Sequence, residues 1–171
     1  MAQMREGMIP SITKAEIDEM ISELAREIER DYEGKELVMI CPLKGSVLFI
    51  SDLSRKVKLP QILDFVYVTS PKGESCRIMK DITVDIQGKH VLIIEEIIDA
   101  GRTLSFLKAR IMASHPASLK VVALLDKPAR RELPLNPDYV GRTIEDRFVV
   151  GYGMDSEEIG RNYKDIYNFA Q

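Results

Sequence analysis

Cysteine is scarce. Cys41 and Cys76 are the only two among 171 residues, too few for a disulfide framework, and neither stands in a Cys-x-x-Cys or His-containing metal pattern. Histidine is equally sparse and points to no catalysis: His90 precedes an apolar run, and His115 sits at a helix end before Pro116, where a cation suits the helix dipole. No apolar run approaches the roughly 20 residues of a membrane span. Residues 1–7 carry no apolar stretch of the secretory kind, so cytoplasmic residence is the expectation. A large charge of one sign is missing too, since the formal net charge is −3 and the pI about 5.5; broad nucleic-acid or acidic-membrane binding is therefore not expected. Gly-x-Gly-x-x-Gly, Gly-x-x-x-x-Gly-Lys-Ser/Thr, zinc spacing and Gly-x-Ser-x-Gly are all absent, as are repeats, low-complexity segments and linkers.

What remains is ordinary in bulk: 45% apolar and 30% charged residues, the balance of a soluble globular protein. The length suits one domain with a real core. Thr13, followed three residues on by Glu16, has the form of a capping box, with Ile12 stapled against Ile17. Ile17, Met20, Ile21, Leu24 and Ile28 then fall on one face of a helix running to about Tyr32, with Gly34 as its stop. Apolar runs at 37–41, 62–68, 91–94 and 119–125 read as strands, most of them buried on both faces. A helix with Val47, Ile50, Leu53 and Val57 inward follows the first, and one with Leu104, Leu107 and Ile111 inward follows the third. Strand, small-residue loop and helix in repetition indicate right-handed βαβ units: a single α/β domain, residues 1–171, with a central, mostly parallel sheet flanked by helices. From 69 to about 86 the pattern dissolves into polar sequence, which reads as a lid or mobile loop.

The chain is organised around residues 91–103. Four branched apolar residues are followed at once by Glu95 and Glu96. A carboxylate pair at the C-terminal end of a buried strand lies where open α/β sheets keep their ligand crevice, and it is costly to desolvate unless hydroxyls or a divalent cation meet it. Asp99-Ala100-Gly101-Arg102-Thr103 then turns into a helix, and loop amides at a helix N-terminus suit a phosphate. That order describes a sugar-phosphate site. Lys44-Gly45, after the first strand, offers a cation beside closely approachable amides, as a diphosphate needs, although for the dipeptide taken alone a solvated surface lysine is the better reading.

The 91–103 stretch resembles the phosphoribosyl-diphosphate (PRPP) signature of the type I phosphoribosyltransferases, and nearly the whole chain is similar to the hypoxanthine-guanine branch of that family. The resemblance implies the type I fold with a small hood, built from the N-terminal segment and about 136–171, and a lid at about 69–86 that closes over the reacting sugar. It implies transfer of 5-phosphoribosyl from PRPP to hypoxanthine or guanine in purine salvage, giving IMP or GMP and diphosphate. Asp99 would be the catalytic residue, working opposite purine N7. Glu95, Glu96, Asp99, Ala100, Gly101, Arg102 and Thr103 would hold PRPP; Lys44, Gly45 and Arg161 would hold the diphosphate, with a cis peptide bond often preceding the lysine. Lys127, Phe148 and Val149 would hold the purine: Lys127 donating to O6, Phe148 stacking, Val149 reading the base through its backbone. Glu95, Glu96 and Asp155 would ligate Mg²⁺. Homodimers or homotetramers are the expected assembly, with no nucleic-acid or membrane partner. Taken alone, Phe148 would read as core and Asp155 as a turn residue.

Three residues depart from the family pattern. Thr69-Ser70-Pro71 stands where the family has Ser-Tyr, and proline lacks the amide that would contact diphosphate. Glu96 replaces the usual Asp, and Ala100 replaces a hydroxyl residue whose phosphate hydrogen bond is worth about 1.5–3 kcal/mol. These departures leave a PRPP-binding regulator with little turnover as a second reading, and a xanthine-preferring transferase as a third.

Overall fold

The computed structural model describes residues 8–70 and 75–169. Pro71 lies outside the described residues. Six strands form the main sheet in the order β4-β3-β2-β5-β6-β7: β2 (Leu37–Pro42), β3 (Gln61–Thr69), β4 (Arg77–Lys80), β5 (His90–Ile98), β6 (Ser118–Asp126) and β7 (Tyr139–Thr143). All neighbours run parallel except β4, which is antiparallel to β3. Helices α1 (Lys14–Asp31), α2 (Val47–Lys56) and α3 (Arg102–Met112) cover it.

Alternation along the strands explains why they are apolar throughout. Leu37, Met39, Cys41, Leu92, Ile94, Val122 and Leu124 pack into a core with α1 and α2. Their neighbours Val38, Ile40, Val91, Ile93, Val121 and Ala123 pack into a second core with Leu104, Leu107 and Ile111 of α3. A sheet covered on both faces has no side left for polar residues. Helix α1 begins with the expected capping box, Thr13 and Glu16 each bonding the other's backbone amide, and ends at Tyr32 shortly before Gly34 in a left-handed conformation.

The chain steps from β2 outward to β3, then crosses back to place β5 on the other side of β2 before continuing to β6. The order thus reverses between β2 and β5, so the loops after these two strands flare apart and leave a crevice at their C-terminal ends. A separate three-stranded sheet of β1 (Met8–Ile12), β9 (Ile166–Phe169) and β8 (Val149–Val150) joins the two ends of the chain, in the segments from which the resemblance builds a hood.

Three expectations need correction. Val47 is 38% exposed, and Phe49 takes the inward place beside Ile50 and Leu53; the buried face is offset by the angle at which the helix leaves its loop. Strand β5 does not stop before its acids but runs through Ile98, because β6 keeps pairing with it as far as Asp126. The 69–86 segment is not loop throughout: Arg77–Lys80 is a strand on the edge of β3. Its return is anchored by Asp64, a buried carboxylate on β3 that accepts from the amides of Thr83 (2.6 Å), Val84 (3.0 Å) and Phe65 (2.7 Å).

Burial opposes ionisation of Asp64, but the donors of Val84, Thr83 and Phe65 outweigh it and hold the carboxyl below the ordinary aspartate range. A depressed folded value contributes stability that is present above the unfolded value and lost as pH falls through the folded one. Asp64→Asn should therefore cost about 1–3 kcal/mol in chemical denaturation at neutral pH, with the gap to the native protein closing as the solution is acidified.

Candidate active site

A cavity of about 580 Å³ occupies the crevice, lined by residues 42–45 after β2, Ser70 of the β3 end, residues 95–104 of β5 and α3, and Asp155 with Arg161. A smaller cavity of about 180 Å³ shares Glu96, Ile97, Asp99 and Asp155 with it and adds Lys127, Phe148, Val149 and Met154. The two lie side by side at those shared residues.

Glu95 and Glu96 stand at the floor. Glu95 is buried, and Ser46, from the loop before α2, ties both acids. The Ser46 hydroxyl donates to the Glu96 carboxylate and reaches Glu95 at 3.5 Å, while the Glu96 amide donates to the Ser46 oxygen at 3.1 Å. Burial pushes the Glu95 carboxyl well up, and the charge of Glu96 pushes it further; burial raises Glu96 too, against the pull of the Ser46 bond. Gly45 lies close beside them: a Cβ there would fall on the Glu96 carboxylate and displace it.

The loop after β5 passes into α3 through Gly101, whose φ of 85° is the left-handed region that favours glycine. Helix α3 has no side-chain cap, and α2 has none either, its Ser46 hydroxyl being engaged with the acids. The uncapped N-terminus of α3 lines the cavity, the arrangement that favours anions, and the loop that leads into α2 lines it opposite. Arg131 fixes the first loop from below. Its guanidinium donates to the carbonyls of Asp99 (2.5 Å) and Leu135 (3.0 Å) and pairs with the buried Asp126, and the Glu132 amide donates to the Ala100 carbonyl at 3.1 Å.

The Leu43–Lys44 peptide is cis. The Lys44 ammonium lies 3.0 Å from the Glu158 carboxylate. Arg161 donates to the Gly153 carbonyl (2.9 Å) and pairs with Asp155 (2.8 Å) and Glu158 (3.3 Å), while its buried Nε has no partner among the described residues. Asp99 faces both cavities and pairs with Arg130 at 2.9 Å. Lys127 is 6% exposed with no ion-pair partner among the described residues. Phe148 is exposed beside it, and Val149 is held by β-pairing to Asn168.

Every residue assigned a binding, metal or catalytic place from the sequence thus borders one of the two cavities. Asp155, however, is bound to Arg161, and among the described residues no three of His, Cys, Asp and Glu converge as a ready metal cage. Sequence reasoning missed Ser46, Arg131, Asp126 and Glu158. Ser46 directly follows Lys44-Gly45 and was within reach of that argument; the others bond across 32, 5 and 114 residues, separations that carry no periodic signal.

The sequence profile described as the phosphoribosyl transferase domain matches residues 12–157. The hypoxanthine phosphoribosyltransferase of Salmonella typhimurium is 43% identical over 157 residues, covering 88% of this chain and 86% of that protein. The hypoxanthine-guanine phosphoribosyltransferase of Mycobacterium avium is 40% identical over 178 residues, covering 96% and 86%. A crystal structure of a hypoxanthine-guanine phosphoribosyltransferase from Bacillus anthracis superposes with a TM-score of 0.92 at 42% identity, covering 95% of this chain and 98% of that one.

A raised carboxyl value means that the folded protein holds a proton the unfolded chain releases, so the pair costs stability as pH climbs above the unfolded glutamate value. Glu95→Gln should consequently raise the melting temperature at neutral pH. At pH 4, where both forms are neutral, it should leave the temperature nearly unchanged in calorimetric scans.

Proposed function

This chain belongs to the phosphoribosyl transferase domain family, and from that premise we propose that it transfers 5-phosphoribosyl from PRPP to hypoxanthine or guanine, a purine-salvage reaction that releases diphosphate. The observation that carries this reading is the pair of adjacent cavities at the sheet's switch point, one lined by phosphate-type loops and acids, the other by Lys127 and Phe148.

In the larger cavity, the backbone of Gly101 to Thr103 and the uncapped start of α3 receive the 5′-phosphate, with the Thr103 hydroxyl as a further donor. Glu95 and Glu96 face the ribose hydroxyls. Lys44, the Gly45 backbone and Arg161 hold the diphosphate. In the smaller cavity, the unpaired Lys127 ammonium donates to O6; adenine offers a donor there and gains nothing. Phe148 supplies a stacking face. Asp99, between the cavities, accepts or hydrogen-bonds the N7 proton, which leaves N9 as the nucleophile toward C1′ as the bond from C1′ to the diphosphate oxygen breaks. Arg130 has to yield the Asp99 carboxylate for this contact to form.

The donor set suits Mg²⁺: hard carboxylate oxygens, with Glu95 raised by burial and by the charge of Glu96, and Glu96 raised chiefly by burial, a state that a cation relieves. Glu95, Glu96 and Asp155 would hold it. When bound it supplies positive charge for the departing diphosphate. The regulator reading is not favoured, because the relatives are named as transferases.

An ultraviolet assay with PRPP, Mg²⁺ and each of hypoxanthine, guanine, xanthine and adenine tests the proposal. Turnover with 6-oxopurines alone is expected, lost on chelation of the metal; PRPP binding without turnover on any base would restore the regulator. Asp99→Ala should lower turnover by about 10²–10⁴-fold while calorimetric PRPP affinity stays near native. Native turnover in that variant would remove Asp99 from its role.

A further inference from the structure

The two cations assigned above to diphosphate are already engaged by the protein itself. One oxygen of Glu158, Oε2, lies 3.0 Å from Lys44 Nζ and 3.3 Å from Arg161 Nη2, which is the bridging position of an anionic oxygen shared by both. The carboxylate is presented by a two-residue turn: the Ser156 and Ile159 backbones exchange hydrogen bonds at 2.9 and 3.1 Å, and Glu157 and Glu158 sit between them at φ of 54° and 67°. Such turns need positive φ at both central positions and are ordinarily built from Asn and Gly. Two glutamates there hold an unfavourable conformation, which the Asp155 carboxylate supports by accepting from the Glu158 amide at 2.8 Å.

Arg161 does not need Glu158 to stay in place. Its Nη1 is bound to the Gly153 carbonyl and its Nη2 to Asp155, and its buried Nε remains without a partner among the described residues. Lys44, by contrast, has Glu158 as its one ion-pair partner among the described residues. Glu158 is itself 64% exposed at its side chain, so it can swing into solvent without disturbing the core.

On the reading proposed for this site, we infer that Glu158 is an internal anion that occupies the diphosphate cradle when it is empty, competes with the diphosphate group for Lys44 and Arg161, and returns to them as that product leaves. Glu158 remains ionised while it does so: the Lys44 bond, then that of Arg161, holds its carboxyl below the ordinary glutamate range. Being exposed and singly bridged, it is a weak competitor by design of the geometry. A diphosphate carries several charges, and its oxygens can take the two cations together.

Titration calorimetry with inorganic diphosphate in Mg²⁺ tests this on the native protein, Glu158→Gln and Glu158→Asn, the last because asparagine tolerates the left-handed turn. Both variants should bind roughly threefold or more tightly, with slower release of diphosphate in stopped-flow displacement. Equal or weaker binding by both, with the native protein binding normally, would overturn the inference and make Glu158 a support for the cradle. Absence of diphosphate binding by all three, with PRPP also failing to bind, would overturn the assignment of the cradle and the inference together.

Discussion

Two adjacent carboxylates of like charge, the buried Glu95 and the half-buried Glu96, are the constraint around which the crevice is assembled. Nothing in the apolar interior would hold them there without compensation, and the compensation reaches across the switch point: the Ser46 hydroxyl from the loop after β2 binds the acids at the end of β5. That contact fixes Gly45 against the Glu96 carboxylate, which a Cβ would displace. Gly45 in turn packs its carbonyl on Gly153, where a Cβ would collide with backbone, and the Gly153 carbonyl accepts from Arg161. A chain of close approaches therefore runs from the acid pair to the arginine, and at Gly153 the facing backbone leaves no room for a side chain.

Around this frame the reactive groups hold internal counter-charges. Asp99 has Arg130, Lys44 has Glu158, and Arg161 has Asp155 and Glu158. The Asp99–Arg130 and Lys44–Glu158 pairs are exposed, and exposed pairs of this kind contribute about 0–1 kcal/mol, so exchanging them for a substrate's charges is inexpensive, whereas Arg161 and Asp155 are half-buried. Arg131 and Asp126 are different: both are largely buried, and separating them would leave a charge stranded. The loop that ends β5 is therefore fixed while the side chains facing the cavity are free to change partners, a division that suits a site built for positioning and electrostatics.

The fold was legible to the extent that it rests on period and punctuation. Thr13 and Glu16 announced α1, and the unbroken branched runs of β2, β5 and β6 announced a sheet covered on both faces. β4 was hidden because a four-residue edge strand, Arg77–Lys80, needs only β3 beside it and buries little, so it leaves no alternation to read. The inward face of α2 was misjudged at Val47 because helical spacing gives the stripe but not the angle at which the stripe meets the sheet. At the site, the residue types followed from a signature, whereas the partners of Asp99 and Lys44 came from loops folded back over them. Only tertiary structure brings those charges together.

The departures at Glu96 and Ala100 also acquire a physical setting. The side chain of Glu96, one methylene longer than the aspartate usual in the family, reaches over Gly45 to the Ser46 hydroxyl; the extra length is used to bind the neighbouring loop, and the acid still borders both cavities. Ala100 lacks a hydroxyl, yet the loop around it is shaped by its backbone: the Ala100 carbonyl accepts from Glu132, the Asp99 carbonyl accepts from Arg131, and Gly101 turns the chain. Deleting a hydroxyl there removes a donor without altering the cradle. On the function proposed above, a phosphate would meet the uncapped first turn of α3 and the Thr103 hydroxyl, donors whose placement depends on the helix and not on residue 100. The loss is confined to one hydrogen bond because the frame beneath it is held by Arg131.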